Sequence, residues 1–109
     1  MKFIIRAGCS LENVEEAIET DSLMKAEEYA ATIASESFSS FGSYFEGMVE
    51  VELEEYELEE DTPEYQDEYD NRLYAYEIED TYYEAEEFDS ENEEHLAILE
   101  LQEGEFYEI

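Results

Sequence analysis

Two periodicities of hydrophobic residues follow one another along the chain. Phe3 to Ile5 begin a short apolar strand, and residues 13–20 can form its partner strand across a turn at about residues 8–13. A helix over residues 10–19 is the alternative, because the apolar residues there also fit a period of 3.6 with Ser10 as the cap. We prefer the hairpin.

The clearest helical pattern lies in residues 22–40. Ser22 is a favourable N-cap residue, and the serines and glycine of SSFGS mark the end of the segment. Between them, apolar residues recur every three or four positions and would cover one face of a helix. These residues are Leu23, Ala26, Ala30, Ile33, Ala34 and Phe38.

After that helix the hydrophobic period changes to two. Residues 47–58 alternate valine and leucine with glutamate, which predicts a long strand. Residues 59–71 contain the only proline and are predicted to form a loop. Residues 72–88 and 95–109 predict two further strands.

These elements predict an α+β fold, in which an antiparallel β-sheet has one main α-helix packed on one face. The second face of the sheet would then be open to solvent and would carry the carboxylates. A chain of 109 residues suits one modest core, so we assign residues 1–109 to a single domain.

The charge of the chain suggests what such a sheet is for. The sequence contains 35 acidic and four basic residues, net −31, and residues 45–109 hold 27 of the acids and one of the bases. Acidic chains that are poor in aromatic residues are usually disordered. This chain is 43% hydrophobic and 15% aromatic. We therefore expect a folded protein that holds its carboxylates on regular structure.

Few residues indicate catalysis or metal binding. His95 is the only histidine and Cys9 the only cysteine, which argues against a zinc site, a catalytic triad and an internal disulfide. The acidic runs at residues 61–70 and 89–93 lack the glycine of a calcium-binding loop. We expect no enzyme activity, no cofactor and no dedicated metal site. No run reaches the length of an apolar membrane span, and we expect a cytoplasmic location, in the host cell if a phage encodes the protein.

The ordered carboxylates form the candidate partner-binding surface. On a strand, Glu50, Glu52 and Glu54 would share one face at intervals of about 6.6 Å and form a row of fixed negative charges, as phosphates do on a stiff duplex. Because like charges repel, replacing these three residues with Gln is expected to raise stability and to weaken binding. The full set of candidates is Glu50, Glu52, Glu54, Glu55, Glu57, Glu59, Glu60, Asp61, Asp67, Glu68, Asp70, Glu77, Glu79, Asp80, Glu84 and Glu86.

In charge, size, lack of catalytic groups and ordered carboxylates, the chain resembles a class of small acidic DNA-mimic proteins. Bacteriophages and mobile elements use these proteins, which include anti-restriction and anti-CRISPR proteins, to evade host defence. The resemblance is one of class and not of motif. It implies an inhibitor that occupies the DNA-binding surface of a basic host protein, such as a CRISPR effector or a restriction enzyme. From the negative charge of residues 45–109 we expect that the protein binds no nucleic acid itself.

Two other functions fit the same composition. One is an acidic adaptor or chaperone for another basic protein, and the other is a protein adapted to high salt with an unrelated function. Competition with DNA separates the first of these from a mimic, and folding only in molar salt would indicate the second. An open sheet edge could also pair two chains into a homodimer.

Overall fold

The N-terminal hairpin forms the centre of the fold. In the computed structural model, which describes every residue of the chain, β1 (Lys2–Cys9) pairs antiparallel with β2 (Glu12–Glu19). Gly8 has a φ of 154°, and a Cβ at this position would lie 2.0 Å from the carbonyl oxygen of Glu12, so only glycine fits. The predicted hairpin is confirmed, and the helix considered for residues 10–19 is wrong.

Two more strands complete a four-stranded sheet in the order β3-β1-β2-β4. β3 (Tyr82–Glu87) pairs antiparallel with β1, whereas β4 (Tyr107–Glu108) pairs parallel with β2. The sheet is therefore mixed, and the prediction of a purely antiparallel sheet is wrong. Of the predicted strands, 72–88 contains β3 and 95–109 contains β4.

One face of the sheet is covered by α1 (Leu23–Ser40), which confirms the helix predicted for residues 22–40. The Ser22 hydroxyl caps it by accepting a hydrogen bond from the backbone N–H of Lys25 at 3.2 Å. Three alanines on the inner face of α1 allow close approach to the sheet. The buried cluster consists of Phe3, Ile5, Ala7, Ile18, Ala26, Ala30 and Ala34.

The other face of the sheet is covered by α4 (Glu93–Leu101), where we predicted a strand and an open, solvated surface. Asn92 caps α4, because its side chain accepts hydrogen bonds from two backbone N–H groups of the first turn. Ile98 then packs on Ile4 in a second buried cluster. The fold is α+β as predicted, but four helices replace the single main helix and the sheet has helices on both faces.

The segment 47–58, predicted as a strand, is mainly helical. α2 (Gly42–Glu54) buries Phe45, Val49 and Leu53, which are four residues apart and therefore lie on one face of a helix. The alternation with glutamate suggested a strand. Glutamate is a good helix former, however, and the four-residue spacing allows one helix face to be buried, so the helix forms.

The predicted loop at 59–71 and the first part of the predicted strand at 72–88 form α3 (Pro63–Asp80). The Thr62 hydroxyl accepts a hydrogen bond at 3.2 Å from the backbone N–H three residues later. Proline suits the first helical position, where a backbone N–H would have no partner in the helix. Residues 42–80 are named the acidic hairpin below.

The acidic hairpin makes the molecule long. The radius of gyration is 18.2 Å and the longest dimension is 56 Å, whereas a compact chain of this length has a radius of gyration of about 13 Å. α3 spans about 27 Å and β1 about 26 Å. These two lengths together approach the longest dimension of the molecule, so the acidic hairpin continues outward from one end of the sheet. Ser10 ties its base to the sheet by donating two hydrogen bonds to Asp80.

Replacing Ile5 with Ala should lower the free energy of unfolding by about 2–5 kcal/mol, because the side chain is 0% exposed and its loss leaves a cavity. Leu101→Ala is the control. That side chain is 87% exposed, so the change should stay within about 0.5 kcal/mol. Urea denaturation followed by circular dichroism measures both variants, and equal effects would contradict the position of β1 in the core.

Candidate functional site

The acidic hairpin carries nearly half of the net charge. Residues 42–80 contain 16 acidic residues and one basic residue, Arg72, which gives a net charge of −15. α3 has no buried residue, and α2 buries only three apolar side chains, Phe45, Val49 and Leu53. Carboxylates are therefore the dominant groups on a surface that is almost entirely in contact with solvent.

One polar cluster joins the two helices of the hairpin. The Arg72 guanidinium donates to Glu52 at 3.1 Å and to Glu68 at 2.9 Å, and it lies 4.6 Å from the ring centre of Tyr56. The Tyr76 hydroxyl donates to the other carboxylate oxygen of Glu52. Glu52 therefore links α2 to α3 through both of its oxygens.

These contacts favour the ionised form of Glu52. The hydrogen bond from Tyr76 is the main cause that lowers the pKa of Glu52 below its ordinary value of 4.5, and Arg72 adds to it against the opposing effect of desolvation. The same hydrogen bond raises the pKa of the Tyr76 hydroxyl. In its ionised form, Glu52 thus contributes to the stability of the acidic hairpin.

The predicted row of Glu50, Glu52 and Glu54 is wrong in its membership. On α2, Glu50 and Glu54 lie on one flank and continue a line that begins at Glu46, with an axial rise of about 6 Å between neighbours. Glu52 lies on the opposite flank, towards Arg72. A row of three fixed charges does run along α2, but it consists of Glu46, Glu50 and Glu54. The prediction missed Glu46 because the expected strand began after it.

The turn between α2 and α3, residues 55–62, forms the tip of the acidic hairpin. Glu57 adopts a left-handed conformation there, with a φ of 55°, where the chain reverses. The tip contains no basic residue, and none of its five carboxylates makes a hydrogen bond or an ion pair. They are Glu55, Glu57, Glu59, Glu60 and Asp61, and all five belong to the predicted set.

The predicted residues on α3 divide into bound carboxylates, which accept a hydrogen bond from another side chain or from the backbone, and free carboxylates, which do not. Glu68 is bound by the arginine, Asp70 by the Gln66 side chain at 2.9 Å and Asp80 by Ser10. Glu64, in the first turn of α3, is a further acidic residue that the prediction omitted. The free members are Asp67, Glu77 and Glu79.

Glu84 and Glu86 lie on β3, away from the hairpin, in an ion-pair cluster around Arg6. The guanidinium contacts Glu84 at 3.1 Å, Glu86 at 3.0 Å and Glu94 at 3.2 Å. Glu15 on β2 completes the cluster at 3.5 Å. These carboxylates come from two strands and α4, so they connect parts of the fold and do not belong to the free acidic surface.

His95, in the first turn of α4, completes this cluster. Its Nδ1 accepts the backbone N–H of Asp89 at 2.9 Å, so Nε2 carries the proton that is donated to Glu86 at 2.7 Å. The hydrogen bond from His95 is the main cause that lowers the pKa of Glu86. Both ring nitrogens have partners within the fold, which explains why the only histidine is buried.

All four basic side chains contact groups of the same chain. The two arginines are held by carboxylates, and Lys25 pairs with Asp21 at 2.7 Å. Lys2 lies 4.8 Å from the centre of the Phe106 ring. Three of the four positive charges are thus paired with carboxylates of the same chain, and Lys2 has no acidic partner.

Net charge and length together define a linear charge density. A charge of −31 along 56 Å is one negative charge per about 1.8 Å, close to the one charge per about 1.7 Å of axis that duplex DNA carries. The charge of −15 along the roughly 27 Å of α3 gives the same density for the acidic hairpin alone. The density is therefore similar in the hairpin and in the molecule as a whole.

No protein-family model matches the chain, and no curated protein and no solved structure matches it. None of the four helices combines the length and the apolar character that crossing a membrane requires. No three histidine, cysteine or acidic side chains converge to form a metal site.

The double variant Glu50→Gln and Glu54→Gln should raise the free energy of unfolding in low salt by about 0.5 kcal/mol, because it removes like-charge neighbours four residues apart. Glu52→Gln should lower it by about 0.5–1 kcal/mol, because the charge-assisted bonds to Tyr76 and Arg72 are weakened; the value is small since Glu52 is 36% exposed. Chemical denaturation measures both. Stabilisation by Glu52→Gln would contradict its role as a link between the helices.

The contribution of Glu52 should also depend on pH. Because its pKa is lower in the folded state, the unfolded chain binds a proton first as the pH falls. The stability difference between wild type and Glu52→Gln should therefore be complete at neutral pH, and it should shrink between about pH 5 and pH 3. Denaturation series at several pH values measure the difference, and a constant difference down to the acid limit would contradict this assignment.

Proposed function

We propose that this protein is a DNA mimic that binds the DNA-binding surface of a basic host protein, such as a CRISPR effector or a restriction enzyme, and inhibits it. The observation that carries the proposal is the linear charge density, one negative charge per about 1.8 Å along 56 Å, against one per about 1.7 Å for duplex DNA. A channel that is charged to hold a duplex would attract this molecule for the same reason.

The ordered backbone beneath the charges supports the same function. Glu46, Glu50 and Glu54 are fixed on a helix, so a partner orders less chain on binding than it would with an acidic disordered tail. We propose this row, the tip and the free carboxylates of α3 as the surface that contacts the target. Exposed tyrosines on the hairpin, such as Tyr74, can add amphipathic contact area among the charges.

The test begins with capture of the target and ends with competition. Immobilised protein is incubated with host lysate, bound proteins are eluted with salt, and each purified candidate is mixed with a labelled duplex. Titration with this protein should displace the duplex, and the apparent affinity should fall steeply as salt rises. Simultaneous binding of duplex and protein to the target would contradict mimicry.

Two matched variants localise the surface. Replacing Glu46, Glu50 and Glu54 with Gln removes three charges from the hairpin. Replacing Glu27, Glu28 and Glu36, which are exposed on α1, removes the same number elsewhere. The hairpin variant should displace DNA about tenfold less well than the α1 variant, because charge acts most strongly at the contact. Equal loss in both would mean that the target reads net charge alone.

Polyglutamate of the same net charge tests whether the fixed arrangement of the carboxylates matters for binding. It carries the charge without a fixed geometry, so it should displace the duplex at a higher concentration than the folded protein. Equal potency would contradict the contribution of the ordered surface.

The adaptor or chaperone function is the second candidate, and the observation that favours it is exposed apolar surface on α2, where Val51 is 63% exposed. An adaptor would bind its basic partner without displacing DNA, so the same competition experiment separates the two functions. A salt-adapted protein would unfold in low salt, which a thermal melt across salt concentrations detects. A homodimer through a sheet edge gains no support from the edges, because β3 carries several glutamates and β4 has two residues.

A further inference from the structure

α2 is apolar on two sides, and the second side is covered only in part, where Met48 packs against the cluster that contains Phe38 and Phe45. Phe45, Val49 and Leu53 form the buried side, and the ring of Phe45 packs between Phe38 of α1 and Tyr76 of α3. A second line, made of Tyr44, Gly47, Met48 and Val51 and named the apolar stripe below, follows the spacing of one helix face and lines an open groove of 590 Å³. Within the stripe, Tyr44 and Val51 are exposed.

No contact and no backbone conformation within this chain requires glycine at position 47, in the middle of the stripe. A glycine in a helix interior costs stability relative to alanine. A Cβ at position 47 would meet nothing within 4 Å, and the backbone there needs no positive φ. Small residues of this kind occur where another backbone approaches a helix closely, so the unexplained glycine and the exposed side chains beside it indicate the same missing neighbour.

We propose that the apolar stripe binds an amphipathic helix of the target that carries basic residues on both sides of an apolar face. The apolar face would lie over Gly47 between Tyr44 and Val51, as in other helix-in-groove complexes. Glu54 and Glu55 lie three and four residues beyond Val51 and form no ion pair within the chain, so the basic residues would find free carboxylates at the rim.

Charge complementarity decides between a basic helix and a second copy of this chain. Each copy has a net charge of −31, and two copies joined along α2 would bring two acidic hairpins together. A basic helix would be attracted by the carboxylates of the acidic hairpin, whereas a second copy of the chain would be repelled by them. The inference deepens the proposed function, on which it rests for the basic character of the partner, and it names the element of the target that the hairpin contacts.

The probe is a synthetic helical peptide of leucine and lysine whose leucines recur every three or four residues. Its control is a peptide of the same composition with the leucines spread around the helix. Titration calorimetry should show that the wild-type protein binds the amphipathic peptide about tenfold more tightly than the control. Equal binding of both peptides, or binding of neither, would overturn the inference, because charge alone would then account for the result.

Three variants locate the contact. Val51→Ser should weaken binding of the amphipathic peptide about tenfold, whereas Ile78→Ser, which removes a similarly exposed apolar side chain from α3, should leave it unchanged. Gly47→Gln should raise the melting temperature of the free protein, because glutamine is the better helix former, and should still weaken binding by filling the groove. Opposite effects on stability and binding exclude loss of folding as the cause. Equal effects of Val51→Ser and Ile78→Ser would overturn the assignment.

Sedimentation of the protein alone tests the second copy as the occupant. A dimer that Val51→Ser dissociates would overturn the proposal of a basic helix. The peptide experiments contain no DNA, so they are independent of the competition assay. Peptide binding at the stripe without displacement of DNA from the target would contradict mimicry and leave this inference intact.

Discussion

Mutual repulsion among 35 carboxylates is the constraint under which the whole structure forms. A compact shape would bring all of them close together. The chain instead extends over 56 Å and buries only 19 of its residues, seven of them in the cluster between the sheet and α1. The acidic hairpin buries one line of apolar side chains, Phe45, Val49 and Leu53 on α2. Regular backbone is thereby kept while nearly every carboxylate remains in contact with water.

The two arginines stand where acidic segments from different parts of the chain meet. Arg6 gathers carboxylates from β2, β3 and α4, and Arg72 joins α2 to α3 through Glu52. Arginine suits these junctions because its planar group can donate to several carboxylates at once. With so few bases in the chain, each one that joins elements internally also leaves the outer surface more uniformly negative. Stability of the fold and uniformity of the surface charge therefore come from the same side chains.

The parts of the fold that could be predicted are those where apolar runs are dense, namely the β1–β2 hairpin and α1. The other helices could not be assigned from spacing, because glutamate fills nearly every position between the apolar residues. In α2, for example, Val49, Val51 and Leu53 fit the period of a strand, and Val49 and Leu53 alone fit the period of a helix equally well. Capping residues such as Thr62 and Asn92 were visible in the sequence and would have identified two of these helices. Most of the predicted carboxylates lie on the acidic hairpin, but the members that are bound within the chain could not be recognised, since Arg6 and Glu86 are 80 positions apart in sequence.

Length also determines how far each charge acts. At physiological ionic strength the Debye length is about 8 Å, so the long axis of 56 Å is about seven times that distance. Carboxylates at the tip of the hairpin and those around the sheet are then electrostatically independent, and the repulsion at any point depends only on its immediate neighbours. A chain of this shape can lengthen its acidic arm without raising the repulsive energy per residue. Its total charge is therefore limited by the length over which a two-helix arm can stay folded and not by repulsion between distant charges.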